Sequence, residues 1–186
     1  MQYRSFGRSG VQVSALGFGA WAIGGQAYGP VDPKASREAL SRAEDLGCNL
    51  VDTAAVYGNS EAVLGEFLAG RRSRWFVATK YSGQPAGMTE TLESQLEGLR
   101  MDAVDLYQLH WVPRDRDAGL FKELEDLRAS GKTRFIGVSL YTAADIDFVL
   151  GHARVDSVQV RFGLLDPLPL LARLAELRAA GVAVLV

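Results

Sequence analysis

The chain has 186 residues, of which 48% are hydrophobic and 23% are charged, a composition that excludes a disordered or collagen-like protein. Its 20 basic and 22 acidic residues leave a net charge of −2 without runs of like charge, so neither nucleic acid nor membrane is an expected partner. One cysteine, Cys48, and two histidines cannot supply an internal disulfide or a Cys/His zinc site, so no metal is expected. No apolar stretch reaches the ~20 residues of a membrane span and no secretory leader opens the sequence, so we expect a cytoplasmic protein.

Seven short apolar runs alternate with longer amphipathic segments along the sequence. Several runs are continuously apolar, which is typical of strands buried on both faces of a parallel sheet. We predict strands at residues 15–21, 49–54, 75–81, 104–111, 135–140, 157–165 and 182–186. The segments between them carry leucines three or four residues apart and are predicted to be helices. Residues 2–6 and 11–13 flank a Gly-rich turn and predict a hairpin that caps the bottom of a barrel.

Local signals mark where the predicted helices begin and end. Asp32-Pro33 and Asp166-Pro167 each place a capping acid before a proline at the first helical position, and Thr142 with Asp145 resembles a capping box. Glycines stand at four predicted helix ends, Gly47, Gly70, Gly131 and Gly181. Loops after strands are longer than loops after helices, notably at 22–32, 55–59 and 81–88. This asymmetry is typical of a β/α barrel whose site lies at the C-terminal ends of the strands.

The chain is shorter than a closed barrel requires. Seven β units and six complete βα pairs are predicted, whereas a (β/α)8 TIM barrel takes about 250 residues. No linker or low-complexity tract divides the sequence, so we expect one α/β domain over residues 1–186, an incomplete barrel truncated at strand seven. We interpret the chain as a sequence cut short; the alternative is a natural short form that pairs its edge strands through another chain.

Three motifs with known functions are not matched. Glycines 17, 19, 24 and 25 miss the spacing of a dinucleotide-binding fingerprint and do not open a helix. The Gly-Lys-Thr triplet at 131–133 ends a predicted helix and lacks the earlier glycine of a P-loop. Residues 137–141 lack the last glycine of a nucleophile elbow. His152 stands near a predicted helix end without a partner acid, so we expect it on the surface.

Four ionisable residues stand at or just after the ends of three successive predicted strands: Asp52, Tyr57, Lys80 and His110. In a parallel barrel their side chains converge on one face. The usual tyrosine pKa of about 10 is too high for efficient proton transfer at neutral pH. We expect the ammonium of Lys80 to lower the pKa of Tyr57, with Asp52 holding the lysine. His110 could then orient or polarise a carbonyl oxygen, so the pattern predicts an acid/base site for hydride transfer.

Each of these residues, taken alone, also fits a purely structural role. Asp52 could cap a helix, Lys80 could extend from a strand end towards solvent, Tyr57 could pack a loop, and His110 could be a hydrogen-bonded core residue. The coincidence of all four at matching strand ends favours a functional site.

Several spaced motifs together resemble the aldo-keto reductase family across the whole chain. They are the segments 16–21 (LGFGAW), 49–61 (NLVDTAAVYGNSE), 77–80 (VATK), 104–110 (VDLYQLH) and 136–139 (IGVS). The resemblance implies a (β/α)8 barrel that binds NADPH without a Rossmann fold. It also implies that Asp52, Tyr57, Lys80 and His110 form a catalytic tetrad, with Tyr57 as the general acid in carbonyl reduction and the base in alcohol oxidation.

The resemblance implies cofactor contacts as well. Ser139 and Gln159 match positions that hydrogen-bond the nicotinamide carboxamide, and Gly19, Ala20 and Trp21 match the loop that lines the cofactor. Asp52 is expected to belong to the cofactor-binding residues as well. Leu140 stands where the family often has asparagine, which removes one expected contact. The family's segments after strand seven, which hold the phosphates and select NADPH over NADH, have no counterpart here.

Aromatic residues surround the predicted site. Trp21 and Trp111, with Tyr57 and His110, are predicted to line the substrate pocket, and Tyr28 and Tyr141 either join that wall or pack loops. Phe162 is predicted to be a core residue.

The leading hypothesis is an oxidoreductase that uses NADP(H), with NAD(H) left open, to interconvert a small aldehyde or ketone and its alcohol. One alternative is a non-catalytic or regulatory barrel that binds the cofactor, or an inactive fragment of a reductase. Another is a different barrel enzyme, an isomerase or aldolase that uses Lys80 as a Schiff base.

Overall fold

Strands and helices alternate along the chain in the computed structural model, which describes residues 1–26, 29–84, 86–113, 119–165 and 168–186. The strands are β1 (Tyr3–Ser5), β2 (Gln12–Ser14), β3 (Phe18–Gly19), β4 (Leu50–Asp52), β5 (Phe76–Tyr81), β6 (Val104–Leu109), β7 (Thr133–Leu140), β8 (Ser157–Val160) and β9 (Ala183–Leu185). The α-helices are α1 (Pro33–Asp45), α2 (Ser60–Leu68), α3 (Met88–Leu99), α4 (Gly119–Ala129), α5 (Ala143–His152), α6 (Leu168–Leu171) and α7 (Leu174–Ala179). Two 3-10 helices occupy Ala20–Gly24 and Arg72–Arg74.

Within the described residues, β3 to β9 form one parallel sheet whose spatial order is the chain order. Because each helix returns the chain to the next strand, neighbouring strands are also consecutive in sequence. The sheet curls: Gln159 on β8 hydrogen-bonds Asp52 on β4, although three strands lie between them. The predicted fold class, an incomplete (β/α) barrel, is therefore confirmed.

The strand register divides the sheet into an inner and an outer face. Lys80 pairs with Gln108, and Ser139 pairs with Gln159, so these polar side chains share the inner face near the C-terminal ends of the strands. A separate apolar layer fills the inner face nearer the N-terminal ends, and it contains Leu50, Phe76, Ala78, Leu106 and Ala183. The larger core lies between the outer face and the helices. The inner face thus places its polar layer at the C-terminal ends of the strands.

The N-terminal hairpin closes the opposite end of the curled sheet. β1 and β2 pair antiparallel. Phe6 packs inward, with its ring centroid 4.7 Å from that of Phe76 and 5.2 Å from that of Phe135. The Arg8 amide donates to the carbonyl of Gly181, just before β9. The predicted hairpin and its position at the barrel bottom are confirmed.

The residues predicted to cap helix starts do so wherever the structure describes them. An Asp32 carboxylate oxygen accepts from the Lys34 amide, 2.9 Å away, at the start of α1. Thr142 and Asp145 form a reciprocal capping box on α5. The pair at 166–167 lies outside the described residues. Among the described helices, none is long and apolar enough to cross a bilayer.

Most predicted strands are shorter than expected, the first and the sixth by the largest margin. The first covers Phe18–Gly19 only, because the chain turns into the 3-10 helix Ala20–Gly24. The sixth predicted strand, which is β8 in the structure, ends at Val160, so residues 161–165 lie beyond the sheet. The prediction that Phe162 is a core residue is therefore wrong: 45% of it is exposed. His152 is exposed, as predicted.

Candidate active site

The four predicted site residues come together at the C-terminal ends of the strands. Asp52 ends β4, Lys80 lies in β5, and His110 directly follows β6. Tyr57 lies in the loop between β4 and α2, and its ring centroid is 5.8 Å from that of His110. The Lys80 ammonium lies 5.2 Å from the centroid of the Tyr57 ring. The structure thus places all four side chains around one point.

Asp52 and Lys80 form a close ion pair. The Lys80 Nζ lies 2.6 and 2.7 Å from the two carboxylate oxygens of Asp52 and 2.9 Å from the carbonyl oxygen of Thr53. These three acceptors match the three protons of an ammonium group. The Lys80 side chain is only 2% exposed. Burial lowers the pKa of Lys80 below its usual value, and the charge and hydrogen bonds of Asp52 oppose only part of this shift.

The acidity of Tyr57 differs from the prediction. Burial, followed by the negative charge of Asp52 and a smaller effect of Tyr141, raises the pKa of Tyr57 to about 12. The expectation that Lys80 lowers this pKa is wrong for the structure as it stands. Because Asp52 is bound directly to Lys80, its charge offsets that of the ammonium, and desolvation of the phenolate then dominates.

A close backbone contact holds the loop that carries Tyr57. The Tyr57 amide donates to the carbonyl of Ala54, and the Asn59 amide donates to the carbonyl of Gly24, both at 3.0 Å. A Cβ atom on Gly24 would lie 1.7 Å from the carbonyl oxygen of Tyr57, so only glycine fits there. The end of the first 3-10 helix therefore supports the Tyr57 loop.

His110 is held from the neighbouring strand. The Ser82 hydroxyl oxygen lies 2.8 Å from Nδ1 of His110. Burial, together with the positive charge of Lys80, lowers the pKa of His110. The imidazole is consequently neutral at neutral pH.

A small cleft of about 150 Å³ opens beside these residues. Its lining residues are Tyr57, Lys80, His110, Ser139, Leu140, Tyr141, Gln159 and Arg161. The structure thus brings the predicted cofactor-binding residues Ser139 and Gln159 to the tetrad.

The first loop also approaches the site. Gly19 pairs with Asp52, Ala20 is buried, and the half-exposed Trp21 has its ring centroid 6.2 Å from that of Tyr57. Trp111 does not line the cleft; its ring lies against that of Tyr81, with centroids 5.8 Å apart. The place of Trp111 in the substrate pocket, like that of Trp21, stays a prediction. Tyr28 lies outside the described residues.

Two glutamines connect the site across the curled sheet. Gln108 Nε2 donates to Oε1 of Gln159, and Gln159 Nε2 donates to a carboxylate oxygen of Asp52, both at 3.2 Å. We call the three residues Gln108, Gln159 and Asp52 the inner strap. It joins β6, β8 and β4 through side chains alone.

A second polar cluster lies behind Lys80, on the outer face of the sheet. A carboxylate oxygen of Glu61 accepts from Thr79 and from Gln95, each at 2.7 Å. Gln95 also donates to the Lys80 carbonyl oxygen and accepts from the Tyr107 hydroxyl at 3.0 Å. We call Glu61, Thr79, Gln95 and Tyr107 the outer network. Burial raises the pKa of Glu61, against the effect of its hydrogen bonds.

The sequence analysis missed the outer network, Ser82 and Arg161. Thr79 and Tyr107 alternate with Lys80 and Gln108 along β5 and β6, and this period of two would have placed them on the outer face. Ser82 and Arg161 follow strand ends, and nothing in the sequence distinguishes them from ordinary loop residues.

The comparisons with known proteins agree with this geometry. The model of the aldo/keto reductase family matches residues 15–185. Aldo-keto reductase YhdN of Bacillus subtilis is 35% identical over 89% of this chain and 55% of its own length. L-galactose dehydrogenase of Arabidopsis thaliana is 31% identical over 100% of this chain and 64% of its own.

Solved structures superpose closely on the chain. An aldo-keto reductase from Klebsiella pneumoniae, solved in complex with NADPH, has a TM-score of 0.85 and 26% identity over 99% of this chain and 67% of its own. The holo form of an aldo-keto reductase from Bacillus halodurans has the same score at 28% identity, over 99% of this chain and 65% of its own.

The curled parallel sheet, with helices between its strands, defines an incomplete (β/α) barrel. The chain belongs to the aldo/keto reductase family. It spans about half the length of several of the curated relatives it matches.

Proposed function

We propose that this protein is an NADP(H)-dependent oxidoreductase that reduces a small aldehyde or ketone to its alcohol, with Tyr57 as the proton donor. The observation that carries the proposal is the position of the Tyr57 ring beside the cleft, with its centroid 5.2 Å from the buried Lys80 ammonium and 5.8 Å from the centroid of the His110 ring. Family membership and the NADPH complex of the Klebsiella relative support the choice of chemistry and cofactor. We further propose that residues 1–186 act as one domain.

Tyr57 is suited to give a proton. Its pKa of about 12 keeps the phenol protonated at neutral pH. The bound cofactor would supply the hydride to the carbonyl carbon. The carbonyl oxygen then becomes a strong base and takes the proton of Tyr57, so hydride and proton reach the two ends of one bond. In the reverse direction Tyr57 would first have to lose this proton, which the raised pKa disfavours. At neutral pH the resting site therefore holds the protonated phenol with which reduction begins, and oxidation of the alcohol would begin from the phenolate.

Lys80 and His110 support that proton transfer. As the proton leaves, negative charge forms on Tyr57, whose ring centroid lies 5.2 Å from the Lys80 ammonium; because Asp52 offsets that cation, Lys80 gives the phenolate only partial support. The neutral His110 ring can donate one hydrogen bond to the carbonyl oxygen and so position it. Asp52 holds Lys80 in place through both carboxylate oxygens.

The residues at the cleft fit a nicotinamide carboxamide. Gln159 uses one amide proton on Asp52 and one lone pair on Gln108, which leaves a second proton and a second lone pair. The Ser139 hydroxyl lines the same cleft. We propose that Ser139 and Gln159 hold the carboxamide, and that Gly19, Ala20 and Trp21 flank the cofactor.

The contacts of Lys80 argue against the Schiff-base alternative. A nucleophilic amine needs a free lone pair, whereas the Lys80 ammonium directs its protons to Asp52 and Thr53. Borohydride treatment with a carbonyl substrate is therefore expected to leave no covalent adduct, and an adduct on Lys80 would favour the alternative.

The direct test follows the absorbance of NADPH after purified protein is mixed with p-nitrobenzaldehyde. Tyr57→Phe is expected to lower turnover by roughly 100-fold or more, because the proton donor is lost. NADPH binding, measured by fluorescence titration, should change little. Tyr3→Phe, at a tyrosine 48% exposed on the hairpin, serves as the matched control. Equal losses of binding and turnover would contradict the role of Tyr57, and cofactor binding without any turnover by the unaltered chain would favour a non-catalytic barrel.

A further inference from the structure

One contact of the site is absent from the family resemblance: the hydrogen bond between Ser82 and His110. Ser82 directly follows β5, and His110 directly follows β6, the adjacent strand. The Ser82 hydroxyl oxygen is 2.8 Å from Nδ1 of His110. The Ser82 amide also donates to the side-chain oxygen of Gln84, at 3.1 Å, which fixes the backbone that carries the hydroxyl.

This contact bears on which nitrogen of His110 carries the proton. A neutral imidazole has one N–H donor and one acceptor nitrogen. The hydrogen-bond partner of one nitrogen therefore determines whether the other nitrogen carries the proton. His110 lines the cleft, and Nδ1 is engaged by Ser82. Nε2 is therefore the nitrogen left to meet a substrate.

We propose that Ser82 is a positioning residue that donates its hydroxyl proton to Nδ1 of His110 and thereby keeps the imidazole proton on Nε2, directed to a substrate carbonyl oxygen. The direction assigned to this hydrogen bond rests on the proposed function, because only a carbonyl substrate needs a donor at Nε2. The opposite arrangement, in which Ser82 accepts from Nδ1, would present a lone pair to the carbonyl oxygen and repel it.

The second histidine provides an internal reference. Nδ1 of His152 lies 2.8 Å from the carbonyl oxygen of Phe148. A carbonyl only accepts hydrogen bonds, so the neutral form of His152 must carry its proton on Nδ1. The chain has two histidines in all. The proposal therefore predicts one histidine of each tautomer in the same molecule.

Nitrogen-15 NMR of the imidazoles tests the tautomer directly. Long-range proton–nitrogen correlation spectra of the full chain, at a pH where imidazoles are neutral, separate protonated from unprotonated ring nitrogens. We expect Nε2 of His110 to be protonated in the unaltered protein. In Ser82→Ala both nitrogens of His110 should move to intermediate shifts, because the two tautomers then exchange. Ser82→Thr, which keeps the hydroxyl, should restore the original spectrum.

Each outcome of this experiment is decisive. A protonated Nδ1 in the unaltered protein, or a Ser82→Ala spectrum identical to it, overturns the proposal. Unchanged His152 signals in each variant show that the fold is retained. The spectra need neither cofactor nor turnover, so they report the tautomer of His110 even if the proposed reductase activity fails. The activity assay, in turn, gives its answer whichever tautomer the spectra show.

Kinetics test the catalytic consequence. With NADPH and p-nitrobenzaldehyde, Ser82→Ala is expected to lower kcat about tenfold, equivalent to ~1.4 kcal/mol, with KM little changed. Ser82→Thr should recover most of kcat. A rise in KM at unchanged kcat would contradict the role of Ser82 in positioning the donor.

Discussion

At the scale of single residues, the site depends on charges that offset each other. Lys80 is buried, and the carboxylate of Asp52 accounts for two of its three hydrogen bonds. The same carboxylate helps to raise the pKa of Tyr57. Asp52 therefore favours the charged form of Lys80 and the protonated form of Tyr57 at once, which is the pair of states that the proposed proton donation requires.

Asp52→Asn is expected to make the stability of the protein depend on pH. Without the carboxylate, burial lowers the pKa of Lys80 further. Between that pKa and the value of about 10.4 in the unfolded chain, the unfolded state binds more protons, so stability rises with pH. We expect a loss of about 3 kcal/mol at neutral pH that shrinks in alkaline solution, as measured by urea unfolding.

The exposed pair Lys122–Asp126 gives the control for this variant. Asp126→Asn should change stability by no more than about 0.5 kcal/mol at any pH. A loss in Asp52→Asn that is the same at neutral and alkaline pH would argue against a buried ammonium as its cause.

The sequence reveals part of the site at this scale. Asp52, Tyr57, Lys80 and His110 could be found because each stands at or shortly after a strand end, where side chains of a parallel barrel meet. The pKa shift of Tyr57 could not be predicted, because it depends on how tightly Asp52 pairs with Lys80. The net effect of the two charges on Tyr57 depends on the distances between the three groups, which the order of residues in the sequence does not give.

At the scale of elements, the outer network joins two helices to two strands behind the site. Glu61 lies on α2, Gln95 on α3, Thr79 on β5 and Tyr107 on β6. Gln95 also bonds the carbonyl of Lys80, so the network fixes the backbone of a site residue from the opposite face. Buried polar groups of this kind are costly unless every partner is present.

Tyr107→Phe is expected to destabilise the protein by about 1–3 kcal/mol at neutral pH, because the side-chain oxygen of Gln95 loses its donor. Burial, with a smaller effect from Glu61, raises the pKa of Tyr107. Above a pH of about 10 the unfolded tyrosine ionises while the folded one keeps its proton, so the stability of the unaltered protein falls by ~1.4 kcal/mol per pH unit. The variant lacks this fall, and its deficit should shrink.

Unfolding by urea at several pH values checks both parts. Tyr3→Phe removes an exposed hydroxyl that donates to the carbonyl of Gly47 and serves as the control, with a much smaller effect. A constant deficit of Tyr107→Phe up to strongly alkaline pH would contradict the buried, protonated state of this phenol.

Element positions were more predictable than element lengths. The capping residues Asp32 and Thr142 mark the starts of α1 and α5 correctly, because the capping bonds are local. The apolar run after Gln159 was predicted as strand, yet it leaves the sheet at Val160. Whether an apolar segment pairs depends on a neighbouring strand, which periodicity alone does not reveal.

At the scale of the whole molecule, the sheet is open. β3 and β9 are its edges, and in the described part of the chain each pairs with one neighbour only. A cleft of about 490 Å³ lies between them, lined by residues of both edges and of the hairpin. The number of β units in the sequence predicted an open sheet. The sequence did not predict that the curl of the sheet brings both edges to one cleft, because that depends on the three-dimensional structure.

Amide hydrogen exchange should follow this layout. The amides of β6 lie in the middle of the sheet, and those of β9 lie at its edge. We expect β9 to exchange roughly 100-fold faster than β6, because local opening of an edge strand breaks fewer interactions. Exchange in β9 as slow as in β6, at every protein concentration, would contradict an open edge.

The inner strap has a consequence for how loss of activity would be recognised. Gln108, Gln159 and Asp52 connect strands that lie far apart in the sheet, so the bonds exist only while the sheet stays curled. A chain that flattened slightly would keep every helix and strand, and its far-ultraviolet circular dichroism would look intact. Its tyrosine, lysine and histidine would nevertheless have drifted apart. A change of curvature would therefore separate the candidate site residues without any change in secondary structure.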